Sequence, residues 1–310
     1  MLPLERRNRK TESTILHALF FSERRLGSIS GKNPGMSTYP IILAHGICPF
    51  DRVIRPFSNI DNPDDDRFHY FRKIRSTLIQ NGFTAFHSRV SWASKLDSRA
   101  SDLKEEIIKI TENFSKWPRV HIIAHSMGGL DARQMIYKYK MQDRVVSLTT
   151  IGTPHLGTSY ADWGVKRFGI LLDLVRPLGL DLEGIKNLTR ESCQRFNKTT
   201  RDFEKSNAVL YQTFAGAQPL DRIFPPLRFS SRIIWKEEGE NDGLVSVKSA
   251  MWRKEYFVET LDADHFNQIG WWETGEADTS MDKASFEKNI REIYLKIARG
   301  LEDYRGNKGA

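Results

Sequence analysis

Residues 122–130 read IIAHSMGGL, an apolar run that passes into His125 and Ser126 and then into Met127, Gly128 and Gly129. Serine and glycine commonly close strands, so a plain strand-ending turn accounts for the letters. Chemistry offers a second account. A serine hydroxyl becomes a nucleophile when a base takes its proton and an acid orients that base. Residues 124–128, A-H-S-M-G, differ at one position from G-x-S-x-G, the elbow that projects a serine oxygen between a strand and a helix. Small residues are needed two before and two after the serine because the strand and helix backbones approach closely. Gly128 meets this on one side, and Ala124 adds only a methyl group on the other.

The base is sought among eight histidines. His17 lies near the N-terminus, and His69 and His87 fall at a helix start and in a strand, where core or surface roles suffice. His121 and His125, four apart on a strand, are separated by about 13 Å and cannot share a metal. His265 follows the run EYFVETL in the loop DADHFNQ, the late position that a base takes in the chain order Ser, Asp, His. The acid belongs between Ser126 and His265, after a strand. Asp242 in GENDGLV fits best, although an Asn-Asp-Gly sequence is also an ordinary tight turn. Asp262 and Asp264 compete with it, and Asp264 adjoins His265 too closely to reach back to the imidazole. Two backbone N–H groups must face the developing oxyanion. Met127, at the head of a helix, supplies one, and Ile47, just past His45 and Gly46 in AHGICPF, supplies the other. His45, Gly46, His155 and Leu156 adjoin these turns and are candidates for contact with substrate.

The elements that must carry these residues alternate. YPIILAHG, FTAFHSRV, RVHIIAHS, RVVSLTTIGTP, AVLYQTFAG, RFSSRIIW and EYFVETL read as strands. Residues 69–81, a segment from Asp97 or Ser98 through Phe114 and stopped by Pro118, GGLDARQMIYKYK, and residues 282–301 read as helices. Such alternation predicts an α/β fold with a parallel sheet and helices on both faces. Residues 157–205 break the pattern with the Leu- and Ile-rich VKRFGILLDLVRPLGLDL, either ordinary core helix or an apolar cap over the site.

Composition bounds the partners. The chain has 310 residues with 39% hydrophobic and 11% aromatic content, enough for a sizeable core. The formal charge of +8 is concentrated at the start: residues 1–35 hold seven Lys/Arg and three Glu, and the rest is nearly balanced. No nucleic-acid motif stands out. Cys48 and Cys193 allow at most one disulfide and match no metal-ligand spacing. The run ILHALFF is too short for a transmembrane span, and Arg24 and Arg25 stand where a signal-peptide cleavage site would be. Cytoplasmic residence is therefore expected, with secretion left open. Residues 1–38 read as a basic extension, 39–304 as the catalytic domain including the 157–205 insertion, and 305–310 as a tail.

Together YPIILAHG, AHSMGG, IGTPHLGT, NDGLV and DHFNQIGW, in this order over residues 39–272, resemble the bacterial true lipases of the α/β-hydrolase superfamily. The resemblance implies an α/β-hydrolase fold and a serine ester hydrolase, a lipase or carboxylesterase acting on fatty-acyl esters or triglyceride through an acyl-enzyme. It implies Ser126 as nucleophile, Asp242 as acid, His265 as base, and Ile47 and Met127 as oxyanion donors. Residues 157–205 would be a helical lid touching lipid. Many members hold calcium with two aspartates near the histidine loop; here Asn267 stands at the second position and Asp221 only loosely matches the first. A neutral amide weakens a site for a hard cation, so no metal and no cofactor are expected. Lys248 lies where some members place a second cysteine, so that bridge is not expected either. Acyl transfer to an alcohol by the same triad, and a non-catalytic binding protein on this scaffold, are the alternatives.

Overall fold

The apolar runs between the helices assemble into one sheet. The structure is a computed structural model that describes residues 39–47, 66–91, 95–175, 183–271, 283–302 and 304. Strands β1 (Ile41–Ala44), β2 (Ala85–His87), β3 (Val120–His125), β4 (Val145–Ile151), β5 (Leu210–Gly216) and β6 (Phe257–Leu261) run parallel in the order β2-β1-β3-β4-β5-β6. Every residue of β1, β3 and β4 is buried, as expected for a parallel sheet covered on both faces. The expected extension (residues 1–38) and tail (305–310), like Cys48, lie outside the described residues.

The pleat sorts alternate side chains onto two cores. Ile41, Leu43 and Ile123 join Phe71, Ile74 and Leu78 from the segment around helix α1 (Ile74–Gln80) and Ile290, Tyr294 and Leu301 from the C-terminal helix (Lys283–Glu302). Ile42, Ala44, Ile122 and Ala124 face the other way. There they meet Leu103 and Ile107 of α2 (Leu96–Ile110) and Ala132, Met135 and Ile136 of α3 (Met127–Lys138). The chain leaves β1 for β2 on one side and returns to β3 on the other. The C-terminal ends of β1 and β3 thus flank a topological switch point, where open α/β sheets form their crevices.

Two expectations fail locally. RFSSRIIW is a helix, within Arg228–Glu238, and no strand. Its buried face is Ser230, Ser231 and Ile234; Ser230 Oγ donates to the carbonyls of Leu227 and Gly243. Small hydroxyls on the inner face hid a helical period that apolar residues would have revealed. Helix α2 ends at Ile110, well before Pro118, because Glu112, Asn113 and Phe114 adopt φ of 52°, 55° and 61°. The Asn113 N–H folds back to the Ile108 carbonyl at 2.8 Å, and Phe114 packs on the core from this turn, outside the helix.

Residues 157–205 form α4 (Ser159–Val175), α5 (Glu183–Lys186) and, continuing to Ser206, α6 (Arg190–Ser206). The last is tied to the core by Arg133 of α3. Its guanidinium donates to Glu204 at 2.8 Å, Asn197 at 2.7 Å and Thr200 at 3.2 Å, and lies between the rings of Trp252 and Phe196. Arg133 and Glu204 are both buried, and Glu204 also pairs with Arg253 at 3.3 Å, so removing Arg133 strips it of the nearer of its two partners. Arg133→Met is expected to lower the unfolding free energy by about 3 kcal/mol in urea titration. A loss well under about 1 kcal/mol would show that this contact does not anchor α6.

Candidate active site

Strand β3 ends on His125, and the next residue turns sharply. Ser126 has φ 56° and ψ −133°, a backbone state that costs a non-glycine residue about 1–3 kcal/mol and persists only where its surroundings enforce it. They do so on three sides. The Ser126 N–H donates to the Ile151 carbonyl at 3.0 Å, keeping the residue on the sheet ladder beside β4. Its carbonyl accepts the Gly129 N–H at 3.1 Å and the Thr153 hydroxyl at 2.8 Å. Helix α3 then starts so close to β1 that a Cβ at Gly128 would stand 2.5 Å from the Ala44 carbonyl oxygen and 2.8 Å from that of His45. Ala124, paired with Ala44 and Thr150 in the sheet, fits without a glycine.

The structure brings the three candidate residues together. His265 Nε2 lies 2.9 Å from Ser126 Oγ, and its Nδ1 lies 2.8 Å from Asp242 Oδ2. The His265 backbone N–H donates to the Asp242 carbonyl at 2.8 Å, which locks one loop to the other. The Asp242 side chain is fully buried. It also accepts the N–H groups of Leu244 at 3.0 Å and Val245 at 2.7 Å, and the Gln268 amide at 2.8 Å. Four donors converge on its two oxygens, so the carboxyl is an acceptor only and the imidazole proton belongs on Nδ1. Nε2 is then free to accept the serine hydroxyl.

The competing acids lie elsewhere. Asp262 pairs with Arg222 at 3.0 Å. Asp264 accepts the N–H groups of Phe224, Phe266 and Asn267, and burial pushes its pKa up to about 6. Its hydrogen bonds hold the histidine turn to the segment before Arg228. Asn267 donates to the Trp271 carbonyl at 2.9 Å. Among the described residues no group of three or more His, Cys, Asp or Glu side chains is arranged to hold a metal ion.

Met127 opens α3, in the first turn whose N–H groups have no acceptor within the helix. Gly46 lies directly over the serine: a Cβ there would be 2.7 Å from Ser126 Cβ and 2.9 Å from the Tyr70 hydroxyl. His45 Nδ1 is 2.9 Å from the Gly46 carbonyl oxygen, and Ile47 follows, partly buried. His155 and Leu156 are not brought to this cluster. The His155 imidazole is fully buried, 2.9 Å from Thr150 Oγ1, 3.1 Å from Arg133 Nη1 and stacked on Trp252. Leu156 packs on the core below and donates its N–H to Ser249 Oγ at 3.1 Å.

Sequence reasoning missed three contributors. Arg99, wholly buried, donates to Asp131 of α3 at 2.6 Å and to the His45 carbonyl at 3.0 Å, fixing the turn after β1 to the helix that begins at the serine. Its partner Asp131 is fully buried, and that burial raises its pKa to about 6. His125 lies 4.5 Å from the His265 ring, and burial holds its pKa well below the usual value, so it adds no positive charge there. Tyr70 contacts His125 Nδ1 at 2.7 Å. Arg99 and Tyr70 belong to no local motif and come from different crossovers, whereas His125 immediately precedes the serine and only its imidazole contacts depend on the fold.

The family model described as "Putative serine esterase (DUF676)" matches residues 93–250, about half of the chain and the span from α2 through Asp242. Triacylglycerol lipase 2 of Saccharomyces cerevisiae is 27% identical over 84% of this chain and 90% of its own length. A triacylglycerol lipase of Vibrio cholerae is 26% identical over 76% and 82%. Among solved structures, mature Bacillus licheniformis lipase BlEst2 superposes with a TM-score of 0.57 at 20% identity, covering 89% of this chain and 96% of that one. The metagenomic carboxyl esterase MGS0156 gives 0.64 at 19% identity, covering 91% and 81%. With a family match that spans Ser126 and Asp242, the chain belongs to this serine esterase family, built on the α/β-hydrolase fold.

Proposed function

We propose that the protein hydrolyses fatty-acyl carboxylic esters through an acyl-enzyme on Ser126. The observation that carries this reading is the continuous contact from Ser126 Oγ through His265 to Asp242, at 2.9 and 2.8 Å, on a strained turn that projects the hydroxyl from the sheet. His265 accepts the serine proton as the oxygen attacks the ester carbonyl, and Asp242 holds the imidazole and favours its charged form. The Met127 and Ile47 N–H groups receive the oxyanion. The alcohol leaves with the proton from His265, and water, activated by the same imidazole, releases the acid.

Relatives named triacylglycerol lipases favour acylglycerols as the substrate class. The aromatic surface of α4 and the helix Arg228–Glu238 favours contact with lipid: Tyr160, Trp163 and Phe229 pack together, and Phe229 is 52% exposed. The lid role falls to α4 and α5, since Arg133 ties α6 to the core.

Ser126→Ala, His265→Ala and Asp242→Asn are each expected to lower kcat on a p-nitrophenyl ester by about ten-thousand-fold with circular dichroism unchanged. Wild-type-like turnover in the serine or histidine variant would overturn the assignment. On a p-nitrophenyl series from acetate to palmitate, run beside emulsified triglyceride, activity is expected to extend to the long chains and the emulsion. Phe229→Ser is expected to keep soluble short-ester hydrolysis within about twofold while losing most emulsion activity. Equal losses on both substrates would contradict a lipid-facing role for that surface.

A further inference from the structure

Gln268 takes no part in the steps above, yet its side chain is fully buried and ends on the acid. The amide Nε2 donates to Asp242 Oδ2 at 2.8 Å, the same oxygen that receives the His265 Nδ1 proton. Two glycines open its path across the C-terminal ends of β4 and β5. A Cβ at Gly152 would collide with Gln268 Oε1 and stand 3.0 Å from Asp242 Oδ2, and a Cβ at Gly216 would collide with Gln268 Nε2. The backbone is held as well: the Gln268 N–H donates to the Asp264 carbonyl at 3.1 Å, and its carbonyl accepts the Tyr294 hydroxyl at 2.9 Å.

Chemistry fixes which way the amide points. Turned about, it would set its carbonyl oxygen against a carboxylate. With Nε2 on Asp242, Oε1 is buried without a hydrogen-bond partner, as is Nε2 of His125.

We propose that Gln268 is a positioning residue of the hydrolytic site, one that fixes the Asp242 carboxylate and limits the negative charge it presents to His265. The proposal rests on the triad reading of Ser126, His265 and Asp242. Without the amide donor, Oδ2 keeps one fixed partner in place of two and turns more freely, so the imidazole is oriented less well. Its full charge then faces the imidazole and favours the protonated form, which cannot accept the serine proton. The other groups facing His265 do not supply a substitute: His125 is neutral, Ser126 lies on the far nitrogen, and the Asp264 side chain is occupied by three backbone N–H groups.

Two variants separate positioning from mere packing. Gln268→Met fills the channel without a donor at any pH. It is expected to lower kcat about tenfold with KM within about twofold, and to move the acid limb of the kcat/KM profile to higher pH by about half a unit or more. Gln268→Glu has the shape of glutamine and donates to Asp242 only while protonated. Its activity is expected to approach wild type on the acid side and to fall as pH rises across the range where wild type is level. If the methionine variant does not fold, the glutamate variant decides alone. Wild-type kcat and acid limb in the first, or a level wild-type profile in the second, would overturn the proposal. Ser126→Ala run in parallel keeps the outcomes apart, since retained turnover there rejects the triad reading itself, whatever Gln268 does.

Discussion

The backbone of Ser126 is the constraint on which the rest of the site depends. A serine at φ 56° and ψ −133° sits outside the regions an L-residue prefers, and about 1–3 kcal/mol of local strain must be offset nearby. The offset is distributed over two strands and a turn. β4 supplies the Ile151 carbonyl that holds the serine N–H, the turn after β4 supplies the Thr153 hydroxyl, and β1 lies so near α3 that only glycine fits at 128. These contacts aim the hydroxyl out of the sheet, toward the imidazole that follows β6. A relaxed serine would continue the strand and turn its oxygen into one of the two cores.

Asp242 and His265 lie in segments that follow β5 and β6, so the sheet is the common frame. Buried polar contacts keep those loops in register. Asp264 ties the histidine turn to Phe224, the His265 N–H ties it to the Asp242 carbonyl, and Arg99 holds the turn after β1 to α3 through Asp131 and the His45 carbonyl. Buried charges of this kind are costly unless fully paired. Their placement beside the site, and that of Arg133 with Glu204 beneath α6, is consistent with a site held in advance of substrate.

Much of this was legible in the residues. Small side chains around Ser126, the late histidine after EYFVETL and the Asn-Asp-Gly turn are local signals, and the apolar runs of β1, β3 and β4 mark strands buried on both faces. What was not legible shares a physical cause. The helix Arg228–Glu238 reads as a strand because Ser230 and Ser231 occupy its buried face and find carbonyl partners that only the fold provides. α2 stops on left-handed residues that carry no glycine to announce them. His155 adjoins the right turn, yet its imidazole belongs to Arg133 and Thr150. Arg99, Tyr70 and Gln268 act across long sequence separations, where spacing carries no information.

In the proposed mechanism Ser126 forms the covalent acyl intermediate. Mass spectrometry of the enzyme after inactivation by an alkyl fluorophosphonate tests it most directly. One phosphonyl group per chain is expected, located on Ser126, accumulating in proportion to lost hydrolysis and absent from the His265→Ala variant on the same timescale. Complete loss of hydrolysis with Ser126 unmodified, or with the label on another residue, would contradict it.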